Sequence, residues 1–130
     1  MPWQSLRNAL LFNAVFSFVC GAALLATPHA IAALLGEVPV MLCQILGVGL
    51  VLFAAEVAWV GTRKPVPRLL AKLITAADVA WVAGSVVLVV AAAGFLSFWG
   101  QILILDIALL TGFCAWCQWR NLKVDRPVVA

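Results

Sequence analysis

Four long apolar runs dominate the chain, at about Ala9 to Ala26, Val40 to Gly61, Leu69 to Ala93 and Phe98 to Trp119, and short polar or Gly- and Pro-containing connections separate them. Each run approaches or meets the roughly 20 residues that a helix needs to cross about 30 Å of hydrocarbon. Period-two alternation is absent, and an open sheet edge cannot sit in lipid, so the runs predict helices and not strands. No linker-like or low-complexity segment divides them. The expected fold is therefore one all-α domain over residues 1–130, a polytopic membrane protein with four transmembrane helices in an antiparallel bundle. The first connection, TPHAIAALLGEVP, offers Thr27 as a cap, Pro28 for a first helical position and Gly36 as a stop. Those signals predict a short interfacial helix at the outer surface, with His29 and Glu37 toward headgroups or water.

Composition strengthens this picture and charge orients it. The 130 residues are 66% hydrophobic and only 10% charged, with a mean hydropathy of +1.16, against about 25% charged residues in a soluble domain. The net charge of +3 comes from basic residues at three places: Arg7, then Arg63, Lys64 and Arg68, then Arg120, Lys123 and Arg126. The other two connections carry no Lys or Arg. By the positive-inside rule all three basic sites, and with them both termini, are expected in the cytoplasm. No basic face remains for a nucleic acid, and membrane lipids are the partners this composition implies. An apolar stretch after Arg7 resembles a cleavable leader, but Leu24 and Leu25 carry the run past Gly21, Ala22 and Ala23, and Pro28 spoils the later site, so a retained first span is expected. Trp3, Trp59, Trp99, Trp116 and Trp119 fall near predicted interfaces, where indoles anchor helices.

Polar residues inside the spans carry the candidate chemistry. Asn13, Ser17 and Cys20 share one side of the first helix; Thr75, Asp78 and Ser85 share one side of the third; Asp106 aligns with Phe113 and Cys117 on the fourth. At about 1.5 Å per residue, Asp78 lies roughly 14 Å and Asp106 roughly 20 Å from the inner ends of their helices. A carboxylate at that depth costs about 2.5–3.5 kcal/mol, so each should face protein or water. Were the two to meet, one would hold a proton. Glu56 with Trp59 and Asp78 with Trp81 repeat an acid–indole spacing that suits a cation, bound by ring quadrupole and charge together. Trp81 lies too deep to be an interfacial anchor. The competing structural readings are an ion pair of Glu56 with Lys72, acids acting as interhelical glue, and Trp81 as packing. Ala76, Ala80 and Gly84 form a small-residue ridge, expected to pack within the monomer ahead of serving a homodimer or a larger complex.

The stretch CAWC, Cys114 to Cys117, has dithiol spacing, and Cys20 and Cys43 form a second potential pair. It resembles the motif of bacterial disulfide-forming proteins and vitamin K epoxide reductase relatives, which also have a four-helix core. Their working pairs face the oxidising side, whereas this one is expected near the cytoplasmic end. Cysteines in an apolar helix more often serve as small hydrophobes. One histidine cannot build a His-rich metal site, and no phosphate loop or nucleophile elbow occurs, so neither metal nor cofactor is expected.

The segments LLFNAVFSFVCGAALLATP, ILGVGLVLFAAEVAWV, ITAADVAWVAGSVVLV and the ending QWRNL resemble a group of small uncharacterised bacterial inner-membrane proteins over nearly the whole chain. The resemblance implies a four-helix fold and an inner-membrane location, and no activity. Fluoride channels and small multidrug transporters are similar in size and helix count. The chain lacks the phenylalanine-rich pore signature of the former, and Asn13 stands where the latter carry a glutamate. AWVGTR and AWCQWR echo one another at the ends of the second and fourth helices, which suggests two related hairpins. The expected function is binding or transport of a small cationic or amphipathic ligand, or of protons, in an acidic intramembrane pocket. Its residues would be Asp78, Asp106, Glu56, Asn13, Trp81 and Trp59. A non-catalytic accessory subunit is the alternative, and a thiol redox protein using Cys114 and Cys117 comes third.

Overall fold

A computed structural model of the protein describes residues 5–36 and 38–123. Trp3, Glu37 and Arg126 lie outside the described residues. The fold is all-α, with α1 at Leu6–Ala26, α2 at Pro28–Leu35, α3 at Val40–Gly61, α4 at Arg68–Ala91 and α5 at Phe98–Leu122. Four of the five helices, α1, α3, α4 and α5, are long and apolar enough to cross a membrane.

Local chemistry sets the helix ends. The first helix starts three residues before its apolar run because Ser5 caps it, its hydroxyl accepting from the Asn8 amide at 3.0 Å. Gly36, at φ +122°, terminates α2 in a conformation that a side chain would disfavour. α5 opens on Ser97, whose hydroxyl accepts from the Gly100 amide at 2.9 Å.

Packing divides the spans into two pairs, α1 with α3 and α4 with α5, joined chiefly by contact between α1 and α5. α3 and α4 meet only sparsely. The α1–α3 contact is close because two glycines face each other. A Cβ placed on Gly21 would stand 2.9 Å from the Gly47 carbonyl oxygen and 2.9 Å from Val51 Cγ2. Small residues therefore do hold helices together here, but on α1 and α3, not along α4 as expected. The Ala76–Ala80–Gly84 ridge is exposed, and a Cβ on Gly84 would meet nothing within 4 Å. That corrects the expectation of ridge packing within the monomer: α4 turns its buried face, Ala71, Ile74, Thr75, Asp78 and Ser85, the other way. Gly84→Leu is accordingly expected to leave stability within about 0.5 kcal/mol of wild type, read as an unchanged thermal midpoint in detergent.

Both ends of the bundle are tied. At one end the Arg7 guanidinium donates to the carbonyls of Gly61 at 2.8 Å and Arg63 at 3.0 Å, and Arg68 donates to the carbonyl of Leu122. These cations satisfy carbonyls that helix C-termini leave without intrahelical partners. The buried cluster of Leu6, Leu10, Val57, Val60, Val66 and Ile74 lies at this end. Arg63 over Trp59, Arg120 over Trp116 and Lys123 over Trp119 repeat one cation–π arrangement there, at 4.8, 5.3 and 5.6 Å to the ring centroids. At the other end α2 is fastened to the α4–α5 connection. The Ser97 amide donates to the Leu35 carbonyl at 2.8 Å, and the Ser97 hydroxyl donates to that of Leu34.

Candidate functional site

Five polar side chains from three helices meet inside the bundle. α1 supplies Asn13 and Ser17, one turn apart; α4 supplies Thr75 and Asp78, three residues apart; α5 supplies Gln118. All five are buried, with Asn13 at 1%, Asp78 at 3% and Gln118 at 0% exposure. Asn13 Nδ2 donates to Asp78 Oδ2 at 2.7 Å and to Gln118 Oε1 at 2.9 Å. Gln118 Nε2 donates to Asp78 Oδ2 at 2.9 Å and to Thr75 Oγ1 at 3.1 Å. Ser17 Oγ donates to Asn13 Oδ1 at 3.1 Å, and Thr75 Oγ1 donates to the Ala71 carbonyl at 2.9 Å.

Every amide hydrogen in this network is assigned, two from Asn13 and two from Gln118. Both donations to the carboxylate arrive at one oxygen, Oδ2. Among the described residues none donates to Oδ1. Asp78 also lines a cleft of about 370 Å³, whose walls include Phe16, Ser17, Phe53, Trp81 and Thr111. The network therefore holds the carboxylate by one oxygen at the edge of a mostly apolar cavity. Such a cavity, concave, apolar and with a few fixed polar groups, is the ordinary form of a small-molecule site.

A second groove of about 590 Å³ adjoins it between α3 and α4. Phe53 and Ala77 line both, and Glu56 and Trp59 line the groove. Each acid–indole pair of the sequence thus borders one of two contiguous spaces. The groove exists because α3 and α4 scarcely touch, so the α1–α3 and α4–α5 pairs part on that side. Glu56 and Lys72 are both exposed, and no ion pair joins them among the described residues.

Asp106 is placed elsewhere. It is exposed on α5, while Ile107 and Thr111 are the residues of that helix that line the cleft. The expectation that Asp106 shares the pocket with Asp78 is corrected on helical geometry. Asp106 precedes Gln118 by twelve residues, which turns it about 120° away from the network and sets it about 18 Å along the axis. Cys114 and Cys117 are buried free thiols on one turn of α5, and Cys20 and Cys43 are free thiols too. Cys20 lines the cleft.

Gln118 is the residue that sequence reasoning missed. In the ending QWRNL it reads as part of an interfacial helix end beside Trp119 and Arg120. The available signal is its spacing of four from Cys114 and seven from Thr111, which puts the three on one side of α5, and all three are buried.

No family model matches the chain, and no curated protein or solved structure matches it.

Proposed function

We propose that the chain is a multi-pass inner-membrane protein that binds, and in a membrane carries, a small organic cation with an apolar body. In this reading α1, α3, α4 and α5 form an antiparallel bundle, both termini are cytoplasmic, and α2 lies at the outer surface. The observation that carries it is Asp78, a carboxylate with one oxygen held by two amides and the other undonated, at the wall of an apolar cleft beside Trp81. Phe16, Phe53 and Trp81 would cover the apolar part of the ligand, and Asp78 would face its charge. Glu56 and Trp59 border the adjoining groove, which extends toward the end of the bundle rich in basic residues, and would form the entrance. Asn13 and Gln118 would position the carboxylate without touching the ligand.

Titration of the purified protein in nanodiscs with tetraphenylphosphonium and with tetraethylammonium tests this reading. Tetraphenylphosphonium, the more apolar cation, is expected to bind more tightly. Asp78→Asn keeps an oxygen that accepts from both amides and removes the charge. It is expected to weaken binding about 10- to 100-fold with the thermal midpoint retained, the worth of a contact to a charged group. Trp81→Leu is expected to cost about fivefold. Binding of both cations unchanged in Asp78→Asn would overturn the proposal.

The exposed Ala76–Ala80–Gly84 ridge favours a second reading, an accessory subunit of a larger membrane complex, in which Gly84→Leu would release a co-purifying partner.

A further inference from the structure

Asp106 stands on the outside of the bundle, about a third of the way along a helix suited to cross a membrane. It is exposed, eight residues into the 25-residue α5, or about 12 Å from that helix's first residue. Its neighbours on the same face are apolar, with Leu109 74% exposed and Phe113 36%. A carboxyl group at that depth cannot be left to lipid, and the monomer does not cover it.

The pattern around it is that of a helix-pairing seam. Trp99, Ile102, Asp106, Leu109, Phe113 and Trp116 follow one another at spacings of three, four, three, four and three. That is a heptad stripe over nearly five helical turns, and none of its residues is buried, with Phe113 at its flank meeting Phe12 of α1 edge-on at 6.2 Å. The α4 side of α5 lies elsewhere, at Gly112, where an added Cβ would stand 3.8 Å from Val82. A single polar residue within an apolar heptad seam fixes register and partner number in paired helices.

We propose that a second copy of this chain covers this face, with the two α5 helices paired in parallel and their Asp106 carboxyl groups in contact. The basic residues gathered at one end give every copy of this chain the same orientation, so a two-fold axis relating two copies runs along the membrane normal. That symmetry sets each residue opposite its own counterpart at the same depth. Asp106 is then its own depth-matched partner, since the two carboxyl groups meet at one level of the seam and each shields the other from lipid. Any other protein would need a polar side chain of its own at that level. The stripe shares no residue with the cleft, which α5 lines through Ile107 and Thr111.

Cross-linking in native membranes tests the proposal with Asp106 left in place. Leu109→Cys, oxidised with copper phenanthroline, is expected to give a disulfide-linked band at twice the chain mass. Val90→Cys, equally exposed on α4 at 76%, is the control expected to give none. In the Leu109→Cys background, Asp106→Leu is expected to lower the dimer yield about tenfold, while Asp106→Asn, which can still donate and accept, keeps it. Asp106 is exposed and makes no hydrogen bond or ion pair among the described residues, so both variants should fold, as shown by an unchanged monomer elution profile. Equal yields from positions 109 and 90, a yield insensitive to Asp106→Leu, or an adduct formed only with a different protein would each overturn it.

Discussion

Gln118→Leu is expected to destabilise the protein by about 2–4 kcal/mol, measured by denaturation in mixed micelles. The side chain is wholly buried and makes three hydrogen bonds at once, accepting from Asn13 and donating to Asp78 and Thr75. Leucine has similar bulk, so the loss does not come from a cavity. It comes from what is left behind: an Asn13 amide hydrogen without an acceptor and an Asp78 carboxylate with one donor instead of two. Leaving a buried group unsatisfied costs about 1–3 kcal/mol, and more when the group is charged. Gln118→Glu should be at least as damaging, because it removes the same donors and sets a second acid against Asp78. Thr75→Val should be milder, at about 1 kcal/mol, since Gln118 keeps its bond to Asp78. The same ordering should appear in cation affinity if Asp78 is the anionic group of the site. Equal midpoints for Gln118→Leu and wild type would show that the network contributes nothing to the fold.

A second large loss is expected from Gly21→Leu, about 3 kcal/mol or failure to assemble. A Cβ there is already within contact-breaking distance of the Gly47 backbone, and backbone cannot rotate aside as a flexible side chain can. The added isobutyl group must push α1 from α3, which is the most extensive helix contact of the bundle. Asn13 lies on α1, so its bonds to Asp78 and Gln118 should be strained in the same step. Gly84→Leu is the matched comparison, with the same substitution on a face that meets nothing. If the two variants melt alike in a thermal unfolding series, the close α1–α3 approach is not what holds the bundle.

These two expectations also mark what could be read before the fold was known. Hydropathy, Pro28, Gly36 and the missing period-two pattern were enough to place the helices, because each depends only on neighbours along the chain. The apolar length of a span and the conformational limits of proline and glycine are local properties. Candidate residues were legible to the same extent. Asn13, Asp78 and Trp81 stand out because polar or indole groups deep in a span are costly or unusual wherever they occur.

Which helix faces which is a different matter, since 66% of the chain is hydrophobic and apolar surface suits lipid as well as it suits protein. The hydrophobic pattern that orients a soluble helix therefore carries little information in these spans. Small residues on α4 looked like a packing ridge and are exposed, while Gly21 and Gly47, less conspicuous in sequence, make the close contact. Asp78 and Asp106 both read as intramembrane acids, and only the rotation of α5 separates them. Asp78 has Asn13 and Gln118 around it, and Asp106 is turned to the outside. Gln118 became the centre of the network for the same reason. An amide near a helix end is unremarkable until three helices bring a carboxylate, an amide and a hydroxyl within 3.1 Å of it.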